Sequence, residues 1–132
     1  HMQKFRKVFI LVGDLPSFTQ HVHQPAEGVQ EMQPFLSVLL ERGSGHNVYW
    51  FGCCNNDDTA GVIGFEIFTA FTKYKAGIHF GGNAAGQNLL DFSYLHFNEQ
   101  TVIMKPGIGL LPAQDGTAAA TERVVVPLCR RA

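Results

Sequence analysis

The sequence predicts an α/β fold: a mostly parallel sheet flanked by helices and finished by a carboxyl-terminal antiparallel hairpin. Three observations predict it. Strand-like and helix-like segments alternate from the amino end; the first strand-like run, Val8-Phe9-Ile10-Leu11-Val12, is apolar at every position; and two strand-like runs near the carboxyl end are joined by a small and polar loop. At 132 residues and 45% apolar, the chain reads as one domain over 3–132, able to bury roughly two-thirds of its unfolded surface.

Each element has its own signal. The run 8–12 is too short for a membrane span and shows no polar alternation, so it reads as a strand buried on both faces of the sheet; Gly13-Asp14-Leu15-Pro16 ends it. Pro16 to Gln20 opens a short helix, since proline suits a first turn. Over 27–42, Val29, Met32, Leu36, Leu39 and Leu40 recur at helical spacing; Pro34 makes the helix regular only from Gln33 or Pro34, and Gly43-Ser44-Gly45 stops it. His46 to Gly52 is aromatic and β-branched, a second strand. Asn55-Asn56-Asp57-Asp58 offers N-caps to a helix over roughly 58–73, on which Val62, Ile63, Ile67, Phe68 and Phe71 share a face. Lys75 to Phe80 predicts a third strand breaking into Gly81-Gly82-Asn83, residues 84–92 a short helix, and Glu99 to Met104 a further strand. Ile108 to Leu111 and Arg123 to Leu128 predict the closing hairpin.

Composition narrows the function. A net charge of −1 supplies no basic field for nucleic acid or anionic lipid, and Arg130-Arg131 reads as a solvated tail. No stretch reaches the ~20 apolar residues of a membrane helix. Three cysteines, two of them the neighbours Cys53 and Cys54, suit a reducing cytoplasm. His1-Met2 reads as a cloning remnant, and the first strand follows so closely that the chain reads as beginning inside a larger protein.

The candidate chemistry gathers at strand ends, where parallel sheets bind ligands. In a nucleotide-hydrolysing domain, such an apolar strand ends in an acidic pair; the first acid helps hold Mg²⁺ and the second positions water. Here the pair is Gly13-Asp14, and no Gly-x-x-x-x-Gly-Lys-Ser/Thr phosphate cradle occurs in the sequence. Asp14 has a competing role, bonding the turn backbone or capping the next helix. Asn55 to Asp58 has helix-capping character but lacks calcium-loop spacing. His21-x-His23 and Cys53-Cys54 have proximity but not the ligand set of a zinc site, and no nucleophile elbow is present. Phe65, Phe68, Phe71 and Tyr74 read as core before they read as an aromatic docking stripe. A receiver-type phosphoacceptor switch would suit the length, and Met104-Lys105-Pro106 resembles its lysine-proline. Such a switch needs a carboxylate pair and a phosphorylatable aspartate, where this chain offers Asp14 alone, Cys53 and Gly81.

In order and spacing, Phe9 to Phe18, Gly45 to Tyr49, Lys75 to Asn83, Gln87 and Lys105 to Gly109 resemble the carboxyl-terminal ATPase-like domain of the membrane coupling ATPase of type VII (VIIb) secretion systems in Gram-positive bacteria. That family is similar to the FtsK/SpoIIIE DNA translocases. The resemblance implies a RecA-like scaffold, a partial P-loop NTPase-like domain lacking the P-loop. It places a degenerate nucleotide site at Gly13 and Asp14, with Asn83 or Gln87 nearest the polar sensor role. It implies no catalytic or metal-binding residue here, with ATP and Mg²⁺ as possibilities of the intact protein, or an active site whose metal-holding acid comes from elsewhere. Its implied partners are secreted helical-hairpin type VII substrates, other domains of the same polypeptide and a homo-hexamer. The implied location is the cytoplasmic face of the cell membrane, reached only through the parent protein.

Overall fold

A computed structural model describes residues 6–113 and 121–127, and the chain divides into two compact units, His1–Lys73 and Tyr74–Ala132. Both are mixed α and β, and among the described residues no helix is long and apolar enough to cross a membrane.

The first unit holds a parallel pair, β1 (Val8–Val12) and β2 (Val48–Gly52), running in register from Val8 opposite Val48 to Val12 opposite Gly52. The crossover between them carries α1 (Leu15–His23) and α2 (Gln33–Arg42), the latter continued by a 3₁₀ turn, Gly43–His46. Asn47 at φ 61° ends that turn in the left-handed region, which asparagine tolerates. α1 opens at the expected proline, ends at His23 and leaves out Gln24, the residue before Pro25, a position that disfavours helical backbone. Leu15, Thr19 and Val22, spaced four and three apart, form its buried stripe, and the Thr19 hydroxyl donates to the Leu15 carbonyl at 2.8 Å.

The predicted helix over 58–73 is shorter. A 3₁₀ turn, Asn56–Asp58, and a run of turns precede α3 (Glu66–Thr72). Gly61 and Gly64 lie in the lost part, where glycine costs about 1 kcal/mol each relative to alanine in a helix. α3 buries Ile67 and Phe68, and the Gln33 side chain donates to the Glu66 carboxylate at 2.6 Å, tying α2 to α3.

β1 is covered on one face, not two. Residues of even number face the helices: the Trp50 ring meets Phe71 edge-on at 5.9 Å, and a Cβ on Gly52 would touch Leu15 and Phe71. The odd-numbered face carries Phe9, Leu11, Tyr49 and Phe51 and is open, with Leu11 77% exposed. A two-strand sheet with its helices on one side leaves its other side bare, so the uniformly apolar run did not mean double burial.

The second unit is an antiparallel sheet in the order β3 (His79–Gly82), β4 (Met104–Leu111), β5 (Glu122–Val125). The closing hairpin forms where the sequence predicts it, Ile108 opposite Val125 through Leu111 opposite Glu122; Leu128 lies outside the described residues. The predicted third strand starts later, at His79, and pairs antiparallel with β4, so it does not extend a parallel sheet. Between Phe80 and Gly82 the pairing shifts, which accommodates Pro106 and Gly107 in β4 where the regular ladder is interrupted. Residues 84–92 form turns where a helix was expected. The predicted strand over Glu99 to Met104 begins instead as a helical turn, α4 (Phe97–Gln100). The cause is local: the Glu99 carboxylate accepts from the His96 N–H at 2.8 Å and the Thr101 hydroxyl donates to the Phe97 carbonyl at 3.1 Å. Among the described residues, Ala84, Phe92 and Met104 are the buried apolar side chains of this unit.

Candidate functional site

The carboxyl ends of β1 and β2 are knitted together by backbone. The Cys53 N–H donates to the Val12 carbonyl and the Leu15 N–H to the Cys53 carbonyl, both at 2.8 Å. Gly13 and Asp14 sit in this corner, with Cys53 and Cys54 across from them. A side chain at Gly13 would meet nothing within 4 Å and its φ lies outside the left-handed region, so neither space nor backbone requires glycine there.

Asp14 is the N-cap of α1. Its backbone is extended (φ −134°, ψ 90°), and its carboxylate accepts from the Ser17 N–H at 3.0 Å. With no other acid in the first turn, this carboxylate both satisfies an unpaired N–H and complements the positive end of the helix. Capping and metal holding call for different chemistry, which separates them. Asparagine caps as well as aspartate but lacks the charge that complements the helix dipole, so Asp14→Asn is expected to lose only about 0.3 kcal/mol in urea unfolding while Asp14→Ala loses about 1 kcal/mol. Equal losses in the two variants would show that the negative charge, not the cap, matters.

Beside this corner the Cys54 thiol is pushed up from its ordinary value, first by burial, then by the neighbouring Cys53, Asp14 and Asp58. It is a half-buried thiol that gives up its proton less readily than a free cysteine, which makes it a weaker nucleophile. Asn55 to Asp58 caps a 3₁₀ turn and not the helix it was expected to start: the Asn55 side chain accepts from the Asp57 N–H at 3.3 Å, whereas α3 begins after Phe65 with no side-chain cap. The histidines do not form a zinc pair. The His21 ring bonds the Ser17 carbonyl at 2.7 Å, while the His23 Nε2 accepts from the Ile67 N–H at 3.3 Å and its ring stacks on Phe65 at 4.7 Å. Among the described residues no group of three acidic, histidine or cysteine side chains has metal-holding geometry.

The other two candidates belong to the second unit, where they shape the loop after β3. Gly81 (φ 65°) and Gly82 (φ 59°) turn the chain through the left-handed region, for which glycine is suited. The His79 Nε2 donates to the Asn83 carbonyl at 2.9 Å, and the Asn83 side chain accepts from the Ala85 N–H at 3.1 Å. Gln87 is fully engaged: its oxygen accepts from the Leu89 and Leu90 N–H groups at 3.0 and 2.8 Å, and its amide donates to the Leu90 carbonyl at 2.7 Å. Gln87 borders a shallow cavity of about 200 Å³ shared with Lys75, Asp91, Ser93 and Gln100. The Ser93 hydroxyl and N–H both donate to the Asp91 carboxylate, at 2.6 and 3.0 Å, which holds that carboxyl below its usual range.

Thus Gly13 and Asp14 form one corner of the first unit, Asn83 and Gln87 one loop of the second, and the side chains of Asp14, Asn83 and Gln87 all make structural bonds. Sequence reading missed the open aromatic face, where the register brings Phe9 and Tyr49 to 5.6 Å and Phe9 and Phe51 to 6.1 Å. Compared with known proteins, the chain matches no family model, no curated protein and no solved structure.

Proposed function

We propose that the chain is a degenerate ATPase-like module of a membrane coupling ATPase for type VII secretion, on a RecA-like scaffold, serving substrate engagement and motor assembly without hydrolysing ATP at its own site. The observation that carries this reading is the Gly13-Asp14 corner: glycine stands where the resemblance puts a metal-holding acid, and the Asp14 carboxylate is already bonded to the helix it caps. Phosphoryl transfer depends on Mg²⁺ to neutralise charge between the β and γ phosphates, so a strand end without that anchor forfeits much of the stabilisation. Support comes also from the parallel pair that places this corner at the strands' carboxyl ends. In this reading, ATP and Mg²⁺ belong to other domains of the polypeptide, and membrane attachment comes through them.

The test is ATP turnover by a polypeptide joining this chain to a P-loop half. Turnover is expected to be unchanged by Asp14→Asn. Mg²⁺-dependent hydrolysis that disappears in Asp14→Asn, with the fold intact by urea unfolding, overturns the degenerate-site reading.

A further inference from the structure

We infer that the neighbours Cys53 and Cys54 are a peroxide-sensitive pair: oxidised to a disulfide by an uncharged hydroperoxide, they release the amino end of α1 from the end of β2. The pair responds whether or not the chain serves secretion, so the two readings fail separately.

The backbone at this point makes the pair consequential. Cys53 ties both neighbours of the corner, its N–H donating to the Val12 carbonyl and its carbonyl accepting from the Leu15 N–H, both at 2.8 Å. Leu15 opens α1 and is 3% exposed, so water is a poor substitute for a lost partner there. The carbonyl in question belongs to the peptide bond between Cys53 and Cys54. A disulfide between the two closes a ring through that same peptide. Cα atoms of adjacent residues lie about 3.8 Å apart, below the range of about 4.4–6.8 Å that relaxed disulfides span, so closing the ring twists the peptide and turns its carbonyl. The Leu15 N–H then loses its acceptor. Strain of this kind also makes the bond readily reducible, which suits a reversible switch and a reducing compartment.

Exposure and charge order the chemistry. Cys53 is exposed and Cys54 half-buried, so the oxidant meets Cys53 first. The Cys53 thiolate attacks one oxygen of hydrogen peroxide, the O–O bond breaks, and the other oxygen takes up protons and leaves as water; Cys53 is now a sulfenic acid. The Cys54 sulfur then displaces the sulfenic oxygen, which departs as a second water with the Cys54 proton, and the S–S bond forms. Cys54 ionises reluctantly, but it sits beside its target and reacts at a high effective concentration. Asp14 and Asp58, whose charges reach Cys54, repel anionic oxidants such as glutathione disulfide and leave an uncharged peroxide unopposed.

The test is oxidation of the full chain with hydrogen peroxide. The intact mass is expected to fall by two hydrogens and to recover with dithiothreitol, with peptide mapping placing the bond between Cys53 and Cys54. Glutathione disulfide is expected to react about tenfold more slowly. Hydrogen exchange at the Leu15 amide speeds up about tenfold on oxidation and returns on reduction, while the amides of β4 keep their rates. Cys54→Ser stops at a Cys53 sulfenic acid that dimedone labels, and its Leu15 exchange is the same before and after peroxide; Cys129→Ser behaves as the parent. A disulfide to Cys129 or between chains overturns the inference, as does a Cys53 sulfenic acid that persists in the parent. So does a Cys53 to Cys54 bond that leaves Leu15 exchange unchanged, or faster oxidation by glutathione disulfide.

Discussion

Phe68→Ala is expected to cost the first unit about 3–5 kcal/mol, enough to unfold it at or near room temperature. Phe68 is 1% exposed, and Ile67 and Val62 in the same region are 0% and 1% exposed. Among the described residues of the unit, these and Thr19 of α1, 0% exposed, are the most deeply buried side chains. Removing the ring takes away its transfer free energy and leaves a hole that helices pinned by the Gln33 to Glu66 and Ile67 to His23 bonds cannot close. The single tryptophan, Trp50, lies in this unit against Phe71, so its fluorescence reports the loss in urea unfolding. Phe97→Ala, at a position 75% exposed, is the control and should stay within about 0.5 kcal/mol of the parent. A loss under about 1 kcal/mol for Phe68→Ala would mean that α3 is not the centre of this core.

Gly109→Val is expected to be nearly as damaging to the second unit, through crowding instead of a void. Gly109 is buried on β4 directly opposite Phe80, and a Cβ there would lie 2.8 Å from both the Phe80 ring and the Ile78 Cγ2. The aromatic ring lies over the glycine, filling the space that a side chain would claim. Overpacking of this kind costs typically 1–3 kcal/mol, and the central strand cannot move aside because β3 and β5 bond both of its edges. Amide exchange of the β4 and β5 backbone measures it: protection should fall across β3, β4 and β5 together. Adding Phe80→Ala should recover part of the loss, and failure to do so would place the strain elsewhere.

What the sequence made legible follows from how local each signal is. Strand β2, the start of α2 at Gln33 and the Ile108 to Val125 hairpin pairing were readable because propensity, proline position and turn composition act within a few residues. The α-helix before β3 was overextended because Val62, Ile63 and Ile67 keep helical spacing while Gly61 and Gly64 break the backbone beneath it. The α4 turn was misread as strand because β-branched Thr101, Val102 and Ile103 outweighed one carboxylate, Glu99, reaching back to His96. The partner of β3 was invisible in principle, since a strand's own residues do not say which edge it joins. At the site, Asp14 was legible as a residue of interest and its cap as one of two roles; the choice between them needed the 3.0 Å bond to Ser17.

The separation of paired residues also orders assembly in time. Val8 meets Val48 forty positions away, whereas Leu111 meets Glu122 after eleven. Closing the longer loop costs about 1 kcal/mol more entropy, and nothing rewards it until the crossover helices have shortened the path. The antiparallel hairpin is therefore free to nucleate early, while the parallel ribbon and the Asp14 corner beside it are late products of folding.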